Sequence, residues 1–167
     1  MNEAIVNFLQ KFSINLMKIL LALLCLTTAP ARADDLCPLV ATLNTWVTRI
    51  TDLKPPPCPQ IGFTDLAGVA GVRSQAGAYD PASGRIELAP DLNLATAYGQ
   101  SYLLHELVHA AQFASGADQT ALCPAALEAE AYSVQAAFLR QNGLPDEALS
   151  ITILSLHLGA CGIQAEY

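Results

Sequence analysis

Apolar residues recur at helical spacing in four stretches of this chain, and a glycine-rich region with shorter apolar pieces lies between the first and the second. Leu36, Leu39, Val40, Leu43, Trp46, Val47, Ile50 and Leu53 mark the core side of an amphipathic helix, with Asp35 as cap and Pro38 near the first turn. Pro55-Pro56-Pro57-Cys58-Pro59 stops that helix and continues as a stiff extended connector. From Ile61 to Pro90 the apolar pieces shorten to Gly68-Val69-Ala70-Gly71-Val72, Gly77-Ala78-Tyr79 and Arg85-Ile86-Glu87-Leu88. Between the last two lies Asp80-Pro81-Ala82-Ser83-Gly84, with proline early and glycine late, as a turn prefers. This predicts a small antiparallel sheet or hairpin whose last strand, Ile86 to Ala89, leads toward the next helix.

That second helix is expected from about Leu94 to Ala114, capped by Asp91 or Asn93. Leu103, Leu107, Val108 and Ala111 would form its buried side, and Ser101, His105, His109 and Gln112 would line the other. A third helix opens at Cys123-Pro124 and ends at Asn142-Gly143, a pair suited to a left-handed cap. A fourth follows Pro145, with Asp146 and Glu147 matching its positive N-terminal end, and stops near Gly159 to Gly162. The pattern as a whole defines an α+β fold, mainly helical, with a small sheet ahead of the second helix.

The N-terminus has a different logic. After Met17-Lys18 runs Ile19-Leu20-Leu21-Ala22-Leu23-Leu24-Cys25-Leu26, followed by a polar stretch ending Ala31-Arg32-Ala33, the small-x-small form read by signal peptidase. The apolar run is shorter than the roughly 20 residues of a stable membrane span. Residues 1–33 therefore read as a cleaved export signal, with Met17 a better start than Met1, and residues 34–167 as a single domain. Leu24 stands where a lipoprotein signal needs a small residue before its cysteine, which argues against a lipid anchor. The expected location is periplasmic or extracellular, with no stable membrane anchor after cleavage.

Composition narrows the partners. Without Lys11, Lys18, Arg32 and Glu3, the eight basic and fifteen acidic residues of the chain become five and fourteen, a net charge of −9. Nucleic acid is a poor match for such a surface. The exported portion keeps Cys37, Cys58, Cys123 and Cys161, an even number in a compartment where thiols oxidise. Four cysteines allow three pairings. Chain locality suggests Cys37 with Cys58 and Cys123 with Cys161, and no C-x-x-C spacing supports a thiolate metal site instead.

The chemistry concentrates in His105-Glu106-Leu107-Val108-His109. On a helix, positions four apart lie about 40° from one another, so both imidazoles share a face and can hold one ion. Glu106 points about a quarter-turn away, where it can reach a water on that ion without being a ligand. Catalytic zinc usually has three protein ligands, so one is missing. Glu128 and Glu130, about 200° apart on the third helix, offer two carboxylates of which one can bind. His157 sits among Leu154, Leu156 and Leu158 and reads as a core or rim residue.

H-E-x-x-H, followed about twenty residues later by a helix bearing Glu128-Ala129-Glu130-Ala131-Tyr132, resembles the gluzincin group of zinc metallopeptidases, and the compact size is similar to the minigluzincins. His105 to Gln112 also resembles small exported bacterial domains of undefined substrate. The resemblance implies a zincin-like domain in which His105, His109 and Glu128 hold Zn2+ and Glu106 is the general base on a zinc-held water. It further implies that the last strand of the preceding sheet borders the cleft and pairs with an extended peptide or protein substrate. The group commonly has aspartate where this chain has Tyr132, whose hydroxyl is then a candidate partner for a ligand. Tyr79, Tyr98, Tyr132, Arg73 and His157 are the candidate oxyanion donors. The alternative function is a non-catalytic exported module, binding or envelope-associated, in which the ion only cross-links two helices.

Overall fold

The computed structural model describes residues 36–66 and 76–161. The expected signal segment, the Asp35 cap, the 68–72 strand, Arg73 and Gly162 lie outside the described residues. The chain divides into two units at Arg32 and Ala33, and every described residue belongs to the second.

The described residues of that unit form an α+β fold of four α-helices and a three-stranded sheet: α1 (Cys37–Ile50), β1 (Gln60–Phe63), β2 (Gly77–Asp80), β3 (Arg85–Leu88), α2 (Ala97–Ala114), α3 (Pro124–Gln141) and α4 (Pro145–Gly159). The sheet order is β1-β3-β2. β2 and β3 form the expected antiparallel hairpin, with Tyr79 opposite Ile86. β1 pairs with β3 in parallel, so the sheet is mixed rather than antiparallel. The four-residue β1 has one buried side chain, Ile61, and too little alternation to announce itself. The hairpin turn is held by Asp80, whose carboxylate accepts from the Ser83 hydroxyl and the Ala82 N–H.

Helix ends follow local chemistry. Proline occupies the first turn of α1, α3 and α4, where its missing N–H costs nothing. α2 begins three residues later than its apolar pattern suggests, because Thr96 Oγ1 accepts from the Gly99 N–H at 3.0 Å and Asn93 is used in the turn before it. Gly143, at φ 78°, provides the left-handed exit from α3.

α2 is the central element, packing against α1, α3 and the sheet. Leu103, Leu104, Leu107 and Val108 are fully buried among Val40, Leu43 and Val47 of α1, Ile86 and Leu88 of β3, and Ala131 and Val134 of α3. The expected division of α2 into a buried side and a lining side does not hold: Ser101, His105 and Gln112 are buried as well, because α3 covers that face. Trp46 sits at the margin of the core, half-buried, edge-on to Phe138 and capped by the Arg49 guanidinium. α4 packs on α3 and buries only Ala148, so His157 is exposed rather than in a core.

Both locality-based cysteine pairings are present as disulfides, Cys37–Cys58 and Cys123–Cys161. They are compatible with an exported protein, and among the described residues no helix is long and apolar enough to cross a membrane. The bridges close loops of 21 and 38 residues. Chain entropy then predicts that replacing Cys123 and Cys161 together by serine leaves a folded domain less stable by about 3–4 kcal/mol, as read by chemical denaturation against the oxidised parent.

Candidate metal centre

His105 and His109 leave α2 one turn apart, and α3 crosses in front of them so that Glu128 closes the group. His105 Nε2 lies 3.1 Å from His109 Nε2. The Glu128 carboxylate oxygens lie 3.2 Å from the first and 3.3 Å from the second. Ligands about 2.0–2.1 Å from a tetrahedral zinc ion stand roughly 3.3 Å from one another, so the spacing and the donor types fit that ion. The histidine side chains are 8 % and 12 % exposed and that of Glu128 44 %, which puts the wet side of the group at the carboxylate. Glu130, the other candidate ligand, is carried elsewhere and accepts a hydrogen bond from Gln112 Nε2 at 2.9 Å.

Behind each histidine stands a buried amide. Gln135 Oε1 lies 3.2 Å from His105 Nδ1, and Gln135 Nε2 donates to Ser101 Oγ, which in turn donates to the Tyr98 carbonyl. Gln112 Oε1 lies 2.9 Å from His109 Nδ1, and Gln112 Nε2 donates to the Leu127 carbonyl as well as to Glu130. The Leu127 bond fixes the start of α3 against α2, one residue before Glu128. Tyr132 was only a candidate for ligand-supporting contact of this kind. Its ring instead packs on the His105 ring, with centroids 4.4 Å apart.

Glu106 is 6 % exposed and accepts a hydrogen bond from the Tyr79 backbone N–H. In the β2–β3 ladder the Ala89 N–H bonds to the Ala76 carbonyl, so the Tyr79 N–H falls on the outer edge of β2, facing α2. Gly77 makes room for this contact: a Cβ there would stand 2.9 Å from Glu106 Cγ and Oε1. β2, not the last strand β3, therefore borders the site, since β3 is central in the sheet.

The electrostatics follow from burial and crowding. Burial pushes the Glu106 carboxyl up, against the pull of His105 and His109 and with a further push from Glu128. His105 and His109, which donate to it through Nε2 when their rings are cationic, hold the Glu128 carboxyl well below the usual carboxylate range. Burial is the largest influence on His109 and would lower it, but Glu128, Glu106 and Gln112 together outweigh burial and leave the imidazole raised. The cluster is thus a place that favours positive charge, whether a proton or a metal ion.

A cleft of about 490 Å³ opens onto the group, with Tyr79, Tyr102, Phe113, Tyr132, Ile151 and Leu154 as its larger apolar and aromatic walls. Of the candidate oxyanion donors, Tyr79 and Tyr132 line this cleft, whereas Tyr98 is outside it and bonds to the Tyr102 hydroxyl, and His157 is exposed on α4. The pattern pointed to His105, Glu106, His109 and Glu128, and the fold brings all four to one cleft. It passed over Tyr102 and the two amides. Only the position of Gln112, three after His109 on the same face, hinted at a role.

These features define an α+β domain with a His-His-Glu cluster at the junction of two helices. The chain belongs to the family described as a domain of unknown function, DUF6647, which matches residues 32–162. No curated protein and no solved structure matches it. The contact between β2 and the motif helix is directly testable. Gly77→Ala should destabilise the domain by about 1–3 kcal/mol in denaturant titration, because the added methyl displaces Glu106 within a packed site.

Proposed function

We propose that this protein is an exported zinc-dependent peptidase of the gluzincin type, in which His105, His109 and Glu128 hold the ion and Glu106 is the general base. The observation that carries the reading is the convergence of three ligand atoms within 4.8 Å beside a buried carboxylate, at the floor of an open cleft. Among the described residues no further histidine, cysteine or acid joins the three, and all four cysteines of the domain are in disulfides. That favours an open catalytic site over a closed structural one, for which a fourth protein ligand is the mark. Export is supported by the disulfides and by the signal-like N-terminal sequence.

A zinc ion held by His105, His109 and Glu128 would supply Lewis acidity, polarising a carbonyl oxygen and acidifying a water. The remaining work belongs to the chain. Glu106, whose carboxyl burial pushes up, takes the proton of the attacking water and passes it to the leaving amine. Tyr132, which lines the cleft together with Glu128, is the candidate donor to the developing oxyanion. The outer edge of β2 offers backbone groups to an extended peptide, and the aromatic and aliphatic walls suit its apolar side chains.

The test pairs metal analysis of the purified domain with digestion of a mixed peptide library. Glu106→Gln should retain zinc and lose about 10²–10⁴-fold in turnover. His109→Ala should lose both. Equal turnover in the parent and in Glu106→Gln would refute the mechanism, and bound zinc with no turnover in the parent would favour the non-catalytic module.

A further inference from the structure

The two glutamines behind the histidines carry more information than their distances. Gln112 Nε2 faces the Leu127 carbonyl and the Glu130 carboxylate, neither of which has a hydrogen to give. The atom facing them must be the NH2 group, so the atom facing His109 Nδ1 is the carbonyl oxygen. A carbonyl oxygen only accepts, and Nδ1 must therefore carry the proton. The same reasoning runs through Gln135. The Ser101 hydroxyl spends its hydrogen on the Tyr98 carbonyl and accepts from Gln135 Nε2, which leaves Gln135 Oε1 to accept from His105 Nδ1. Each neutral imidazole is then left with its lone pair on Nε2, and the two Nε2 atoms face each other at 3.1 Å.

We propose that Gln135 and Gln112 are positioning residues that fix His105 and His109 as Nδ1-protonated tautomers, ready to bind a cation through Nε2, an inference that rests on the zinc reading above. Both amides are fully buried, at 1 % and 0 % exposure, so water does not compete for the Nδ1 protons. Both are neutral, whereas a carboxylate at the same place would add a negative charge behind the ligand. The charge of a bound ion would then be offset at first hand by Glu128 alone, which would preserve its pull on a substrate carbonyl.

The two amides are not interchangeable, and that makes the proposal testable. At position 135 a glutamate can still accept from His105 Nδ1, because Ser101 can turn its hydroxyl to the second oxygen. At position 112 a glutamate would aim an oxygen at the Leu127 carbonyl and the Glu130 carboxylate, both acceptors. Two measurements decide the matter: ¹H–¹⁵N imidazole spectra of metal-free protein at alkaline pH, where neutral rings report their tautomer, and competition titration with zinc against a chromogenic chelator. The parent should show both rings protonated at Nδ1. Gln135→Leu should mix the tautomers of His105 and weaken zinc 10–100-fold, and Gln135→Glu should restore both, whereas Gln112→Glu should restore neither for His109. Parent rings protonated at Nε2, or an unchanged His105 tautomer and zinc affinity in Gln135→Leu, would overturn the proposal. If Gln135→Leu does not fold, the contrast between the two glutamate variants decides, and equal effects at 112 and 135 overturn it. Nδ1-protonated rings in a parent that takes up no zinc would uphold the positioning role and defeat the zinc reading instead.

Discussion

Burying a polar side chain is costly unless its hydrogen bonds are rebuilt inside the protein, and the rest of this fold is arranged around that constraint. The buried polar and charged residues among those described are Ser101, His105, Glu106, Gln112 and Gln135, and all five belong to one connected site. A domain of this size gains its stability from apolar packing and has no need of such a cluster in its interior. Each of the five is met by a specific partner: Tyr98 for Ser101, Gln135 for His105, the Tyr79 N–H for Glu106, Leu127 with Glu130 for Gln112, and Ser101 for Gln135. The crossing of α2 and α3 is set by these bonds as much as by the leucines around them.

The same constraint explains what the sequence discloses and what it conceals. Helix positions and both disulfides were legible because they rest on local signals: apolar spacing, proline in a first turn, glycine after a last one, and cysteines near one another along the chain. The four chemical residues were legible because a helix converts a spacing of four into a shared face. The faces of α2 were misread because Ser101, His105 and Gln112 are polar, and a periodicity argument assigns polar residues to solvent. Their burial comes from α3, which lies some thirty positions downstream of Ser101 and supplies Gln135 as partner.

The sheet shows the corresponding limit for strands. The hairpin was visible in its turn residues, but the parallel addition of β1 to the far side of β3 depends on a pairing across 25 positions, Gln60 with Arg85. That addition decides which strand meets the helix. With β1 on one flank of β3 and β2 on the other, β3 has no free edge, and Gly77 and Tyr79 on the outer edge of β2 are what Glu106 touches. The choice between Glu128 and Glu130 was open for a similar reason: the angle between them says that they diverge, and only the docking of α3 through the Leu127 carbonyl says which one turns inward.

The α3–α4 pair is a closed ring of chain. At one end the helices are joined by the short connection through Asn142, Gly143 and Leu144, and at the other Cys123 just ahead of α3 is tied to Cys161 just beyond α4. A helix anchored at both termini cannot swing out as a flap, so the wall formed by Ile151 and Leu154 keeps its distance from the strand opposite. The opening is accordingly a slot of set width on that side.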